Sequence, residues 1–587
     1  MLSLAALSAI SLVIVMQDAP VPPPTPTTVP AAPPATAPAT EPAATAPNPA
    51  APDQPATAPA SAPAAEVADP AVPGLDPVLL TVAEASGYTA TATSAQVQEL
   101  IARIHERSSI TRLAEMGKTS EGKPIPLIIL ANPPITTVKE ARETGKVIAF
   151  VMANIHAGEV EGKEVCLMLA REIGLNPDHP LLKDCVIVIA PNYNADGNDK
   201  MSLDSRPGQV GPDKGQGQRS NAQGLDLNRD YMKLESPEAQ SLVRLLTEWD
   251  PDITVDCHTT NGSQHRYTLT YDAPTNPSGH AAPIDFVHDE LLPEVTTRVK
   301  ASTGYDMFFY GNFNRDHTVW ETYSSQPRFG GPYQGLRNQM SVLSEAYSYA
   351  PYKDRCTVTR EFVREILRFA GENRQRIKEI NERARRETAE KGANPQPDDI
   401  VGIRHRVAAM PRPYTILGYE SARGGEGGAA VTDHTQHGPP KDYSCLYLGR
   451  FEMTRGVRRP FAYIIPPGPG MDVIVQKLQA HGIAVEPFAG KATVEAYTVT
   501  KIERQERPFQ GHHEATLETS CALAAGRDFP AGSFIVKTAQ PLGTLAVYLL
   551  EPESDDGLAT WNLLDAVIAE GKEFPIVRVR TADDIGK

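Results

Sequence analysis

Asn154-Ile155-His156-Ala157-Gly158-Glu159 joins a continuous apolar run, Val147 to Met152, to a segment of helical periodicity, Val160 to Ile173. A short apolar run reads as a buried strand, and apolar positions three and four apart read as a helix. The hexapeptide therefore occupies a strand-to-helix turn. An imidazole and a carboxylate three residues apart across such a turn can reach one ion. A hydrolytic metal centre needs nitrogen and oxygen ligands with one position left open for water. Taken alone, the same spacing also describes a surface His beside a helix-starting Glu.

Outward from this turn the alternation of strand and helix repeats from about Leu75 to Gly392, which predicts an α/β sandwich. Cys185 to Ala190 is a second buried strand, ended by Pro191. Pro237 to Trp249 reads as a helix, and Ile253 to Val255 and Ser341 to Leu343 as further strands. Thr357 to about Lys391 carries Glu, Arg and Ile at helical spacing and predicts one long amphipathic helix closing the domain. Asn394 to Asp399, with two prolines, predicts a linker. The rest, about Ile400 to Lys587, alternates β-branched and aromatic residues between Gly/Pro turns such as Tyr463 to Gly470. The Gly424 to Gly428 stretch reads as a loop.

A chain of 587 residues is longer than one core usually organises. The expected division is a leader or N-terminal anchor at 1–17, a Pro/Ala/Thr-rich spacer at 18–74, a catalytic domain at 75–395 and a β-rich domain at 400–587. Leu2 to Met16 has the length of a signal-peptide core and is short for a membrane span, so export to the envelope or beyond is expected. Membrane contact is expected only through that segment, if it stays uncleaved. The spacer cannot bury enough apolar surface to offset the entropy of ordering. A net charge of −16 argues against nucleic acid as a partner, since phosphate recognition needs clustered positive charge. The six cysteines are scattered and show no thiolate metal spacing.

Three further stretches carry chemistry. Asp256-Cys257-His258 follows the apolar Ile253 to Val255, which places His258 at the carboxyl end of a strand, where ligands gather in open α/β sheets. His258 can complete a site with His156 and Glu159. Gly224-Leu225-Asp226-Leu227-Asn228-Arg229-Asp230 interleaves polar and apolar residues; Arg229 beside Asn228 suits a carboxylate, and an ordinary capping turn is the competing reading. In Leu343-Ser344-Glu345-Ala346-Tyr347 a carboxylate follows a buried run, which is costly unless the group is paired, for instance with Arg337, or working.

In this order, His156-xx-Glu159, Asn192-Tyr193-Asn194-Ala195-Asp196-Gly197, Gly224 to Arg229, His258 and Glu345 resemble the motif set of the zinc carboxypeptidase family, the M14 metallopeptidases, over about Ile110 to Tyr349. The resemblance implies an α/β fold with a mixed central sheet and helices on both faces, to which a smaller β-rich C-terminal domain is added. It implies one Zn2+ held by His156, Glu159 and His258, with Glu345 as general base. Asn228 and Arg229 match the pair that grips a terminal carboxylate, and Asp226 a carboxylate that orients the first zinc His. Arg219 matches the Arg that polarises the scissile carbonyl, with Arg206 competing. Tyr323 is carried for the Tyr that covers the substrate, with Tyr333 as its rival. No acidic residue between Arg328 and Arg337 asks for a basic substrate side chain.

The expected substrate is a peptide or protein with a free C-terminal carboxylate. The rival readings are an amide deacylase, a peptidoglycan stem-peptide peptidase with the same zinc site, and an inactive binding protein on the same fold. Trp561, Tyr548 and Phe574 are read as core, and His512-His513-Glu514 as a solvated turn.

Overall fold

The computed structural model describes residues 75–420 and 438–586. The expected leader, the spacer and the Gly424 to Gly428 loop lie outside the described residues. In the first part of the chain the strands are β1 (Thr111–Lys118), β2 (Pro124–Leu130), β3 (Val147–Ala153), β4 (Cys185–Ala190), β5 (Ile253–Thr260), β6 (Leu269–Asp272), β7 (Met307–Phe309), β8 (Asn312–Phe313), β9 (Val319–Glu321) and β10 (Met340–Tyr347). Eight of them form one mixed sheet in the order β1-β2-β4-β3-β5-β10-β6-β7. The centre, β4-β3-β5-β10, is parallel; β1 and β2 are antiparallel to their neighbours, and β6 is antiparallel to β10 and parallel to β7.

β3 and β4 are apolar throughout because both faces are covered, whereas β5 and β10 alternate apolar residues with polar ones. On one face Val147, Ala149, Val151, Ile253, Val255 and Val342 pack with Leu100, Val165, Val295 and Phe362 of the covering helices. On the other, Ile148, Phe150 and Met152 pack with Leu242 and Leu246 of helix Pro237–Trp249. The same cluster takes in Tyr463, Leu545, Tyr548, Trp561 and Phe574 from the C-terminal part. That part is rich in strands: β11 (Ile400–Ala408) pairs with β14 (Arg450–Arg458), and β12 (Tyr414–Tyr419) with β13 (Pro440–Leu448). β13 adds to β9 in parallel register. β15 (Ala462–Ile465), β16 (Glu486–Arg504), β17 (Ala515–Lys537) and β18 (Val577–Val579) close into a small barrel.

Two expectations need correction. The single helix expected over Thr357 to Lys391 is a pair, Tyr352–Glu372 and Arg374–Ala393. The break falls at Asn373, whose backbone leaves the helical region at φ −106, ψ 18 and whose side-chain amide joins its own N–H on the Phe369 carbonyl, at 2.9 and 3.0 Å. His258 and Glu345 do not follow their strands but lie within them, since β5 and β10 stay paired as far as Thr260 and Tyr347.

The shared core contains a His whose charge state matters. His481 is fully buried, with Nδ1 2.7 Å from the Tyr333 hydroxyl and Nε2 3.2 Å from the Met232 carbonyl. Burial, helped by nearby Arg337, holds it down to about 3. An unfolded His takes up its proton near pH 6.5, so this stability is complete above that pH and is lost as pH falls toward 3; at pH 5 the loss is about 2 kcal/mol. Buried Asp272 and Asp555, both pushed up to about 7, act in the opposite sense over an overlapping range. The measurement is therefore a comparison: in urea denaturation, the advantage of the wild type over His481→Gln should shrink by that amount between pH 7 and pH 5. An unchanged advantage would remove His481 from the acid response.

Candidate active site

The chain leaves β3 through Asn154, held at φ 68, a left-handed conformation that Asn tolerates better than most residues. Its amide donates to Asn192 Oδ1 at 2.6 Å and Asn198 Oδ1 at 3.1 Å, so the motif Asn192 to Gly197 supports the turn that presents His156. Glu159 lies just ahead of helix Glu161–Gly174, and His258 projects from β5. One ligand atom from each of His156, Glu159 and His258 lies within 4.8 Å of the others, and all three side chains are buried.

Both imidazoles turn Nδ1 to Glu159, at 3.0 Å from Oε1 for His156 and 3.0 Å from Oε2 for His258. Their Nε2 atoms point to aspartates. Asp226 Oδ1 is 2.9 Å from His156, in hydrogen-bonding line. Asp256 Oδ2 is 3.0 Å from His258, a close ionic contact that is out of line for a hydrogen bond. Two imidazoles and one carboxylate, with carboxylates behind the far ring nitrogens, are the donor set and support that zinc takes. Burial alone would push Glu159 up, but His156, Arg206 and the hydrogen bonds from both imidazoles hold it well below the carboxylate range. Asp226 is held low in the same way by His156 and Arg219, against its burial.

Glu345 stands opposite His258 in the parallel register of β5 and β10. Burial pushes it up to about 8; Glu159 adds to the rise, while His258, Arg206 and Arg219 oppose it. Arg337 is not its partner, being spent on the His481 carbonyl at 2.8 Å and Thr247 at 3.1 Å. A cleft of about 280 Å³ gathers His156, Glu159, Glu345, Arg219, Asn228, Arg229 and Tyr323. Asn228 and Arg229 sit in a short 3-10 turn, Leu227–Arg229, capped by Asp226. Asn228 Oδ1 accepts from Gly330 N at 3.0 Å, and the Arg229 guanidinium lies 3.9 Å over the Phe329 ring.

The competing residues separate by position. Arg219 lines the cleft while its Nε donates to Asp226 Oδ2 at 2.9 Å. Arg206 donates to Glu159 Oε1 at 2.9 Å and to the Thr259 carbonyl at 2.8 Å, bracing Glu159 from outside the cleft lining. Tyr323 lies in the cleft beside Tyr310 and Phe329, with ring centroids at 5.6 and 5.3 Å. Tyr333 is fully buried on His481.

Sequence reading left two contributors without a role. Asp256 lies two residues before His258 on one strand and so on the same face, a signal the alternation of a strand already carries. Gln510, in the β16–β17 connection, accepts from Asp226 N at 2.7 Å. Its neighbour His512 pairs with Glu235 at 2.8 Å and stands edge-on to Trp561, so that side chain of the turn is docked, while His513 is exposed as expected.

Residues 97–314 match the family model described as zinc carboxypeptidase. Carboxypeptidase 2 of Trichophyton equinum is 25% identical over 486 residues, covering 79% of this chain and 82% of its own length. Carboxypeptidase E of Caenorhabditis elegans is 33% identical over 152 residues, 24% of this chain and 30% of its own. Among solved structures, carboxypeptidase A of Helicoverpa armigera aligns over 48% of this chain and 74% of its own at 15% identity, with a TM-score of 0.37. With the motif order, the mixed sheet and the two-His, one-Glu cluster already in place, residues 97–314 are similar to the zinc carboxypeptidase family, the M14 metallopeptidases.

Proposed function

We propose that this protein removes single residues from the C-termini of peptides, with one zinc ion held by His156, Glu159 and His258. The observation that carries the reading is the meeting, in one cleft, of the metal-ligand cluster, Glu345 and the Asn228–Arg229 pair. Zinc bound there supplies a Lewis acid and lowers the pKa of water.

The protein's own groups supply the rest. Arg229 and Asn228 hold the substrate's terminal carboxylate by charge-assisted hydrogen bonds, which sets the last peptide bond beside Glu345. Glu345 takes a proton from the attacking water as its oxygen adds to the carbonyl carbon, then delivers that proton to the amine as the C–N bond breaks. Arg219 faces the charge that develops on the carbonyl oxygen, and Tyr323 closes over the bound residue. Asp226 and Asp256 orient the two imidazoles, with Gln510 steadying Asp226 from the C-terminal part. On this reading residues 400–587 form a domain that braces the loop carrying Asp226 through Gln510, and the apolar Leu2 to Met16 run supports an exported enzyme.

The test is release of amino acids from a mixed peptide library, with and without a chelator and then with zinc restored. Zinc-restored release of single C-terminal residues, absent from C-terminally amidated peptides, is expected. Cleavage that ignores the amide cap would overturn the reading and favour an amide deacylase or a stem-peptide peptidase. Asp226→Asn should weaken zinc about 10- to 100-fold in competition with a chromophoric chelator; unchanged affinity would free Asp226 from that role.

A further inference from the structure

The faces of β5 and β10 below the metal-ligand cluster define what lies deeper in the cleft. Because these strands are parallel and in register, Glu345 pairs with His258, Leu343 with Asp256 and Ser341 with Thr254. Alternate residues share a face, so these pairs form three successive rungs below the rim, each about 6.6 Å under the last. The intervening Val255, Cys257, Met340 and Val342 turn into the helix-covered core. Helix Gly330–Leu336 forms the facing wall, where Gly330 and Gly331 leave room and Gln334 reaches the cleft. A side chain entering beside Glu345 and extending one rung, about the reach of Lys or Arg, arrives at Asp256.

That depth is polar and unsatisfied. Among the described residues Asp256 Oδ1, Gln334 Oε1 and Ser341 Oγ find no hydrogen-bond partner, although their residues are only 7%, 2% and 3% exposed and all line the cleft. Thr254 Oγ1, on the Ser341 rung, is buried without a partner too. Buried polar atoms are nearly always paired, and each one left unpaired costs about 1–3 kcal/mol. Several gathered at the end of one cleft mark a place for hydrogen-bond donors. Asp256 adds a charge, and among the described residues its only ionic contact is His258. Of the two arginines that line the cleft with it, Arg219 is engaged on Asp226 and Arg229 lies over the Phe329 ring.

We propose that this depth receives the side chain of the substrate's C-terminal residue and that Asp256 makes it selective for a cationic one, so that the enzyme releases Lys and Arg in preference to Leu and Phe. The proposal rests on the carboxypeptidase reading above. It also explains why no acidic residue was needed between Arg328 and Arg337: the carboxylate comes from the neighbouring strand.

The experiment uses the zinc-loaded full chain and matched peptides ending in Lys, Arg, Gln, Leu or Phe. The expected kcat/KM ratio of Arg to Leu is about 100 or more, since a site built to hydrogen-bond a group discriminates strongly against ligands lacking it. Asp256→Asn should lower that ratio at least tenfold, and Gln334→Glu should raise it. A wild-type preference for Leu or Phe overturns the proposal while leaving the carboxypeptidase reading intact. A fall in Asp256→Asn equal for every substrate also overturns it, leaving Asp256 as a support for His258 alone. If no peptide is cleaved, the carboxypeptidase reading fails, and calorimetry with free arginine and leucine decides the pocket separately. Tighter arginine binding upholds it, and equal or weaker binding overturns it.

Discussion

Glu345→Gln is expected to lower kcat by about 10²–10⁴-fold while the protein keeps its full complement of zinc. The substitution changes almost no volume and leaves His156, Glu159 and His258 in place, but an amide cannot take a proton from water at neutral pH. The half-buried position of Glu345 within β10, opposite His258, keeps the replacement in the same spot, so lost turnover cannot be ascribed to lost shape. Metal content by elemental analysis and turnover on a C-terminal Lys or Arg peptide check both halves. A variant within tenfold of wild type would take Glu345 out of the proton transfer.

Arg328→Met should cost the largest stability change, about 3–5 kcal/mol, because it strands a buried charge. Arg328 Nε lies 3.1 Å from Asp556 Oδ1 and Nη2 2.6 Å from Glu514, while the guanidinium stacks 4.5 Å from the Trp561 ring. Asp556 is fully buried and also accepts from Trp561 Nε1 at 2.7 Å. Burial pushes Asp556 up and Arg328 opposes it. Without Arg328 the folded carboxyl rises further, so the deficit is greater at pH 8 than at pH 5, where protonation relieves it. Adding Asp556→Asn should restore part of the loss. Chemical denaturation of the single and double variants measures both effects, and a single-variant loss under 1 kcal/mol would show that the ion pair contributes little.

This pair also shows where sequence reading stops. Arg328 precedes the glycines that open the deep pocket, yet Asp556 lies 228 residues away, and no local pattern links them. Asp226 and Gln510 meet across 284 residues in the same way. By contrast, β4 and helix Pro237–Trp249 were legible to the residue. An apolar run ended by Pro191, and a Ser-Pro start before an amphipathic repeat, are local and strong signals. The sheet's outer strands β1, β6 and β7 went unread because β1 is only partly buried and the other two are three or four residues long. The Thr357 to Lys391 periodicity ran through Asn373 because one residue scarcely changes a helical repeat, although its backbone leaves the helical region there.

What the sequence alone determined was which residues are candidates for metal ligands and base, and their order along an α/β frame, because each sits at a strand or turn whose local pattern also sets its direction. What only the tertiary structure decided was which acid lies deep in the cleft, which arginine lines it, and how the C-terminal part meets the loop that carries Asp226. Those depend on strand register and on contacts between residues far apart in the chain, where the free energy of burial and pairing is shared among segments that carry no trace of one another.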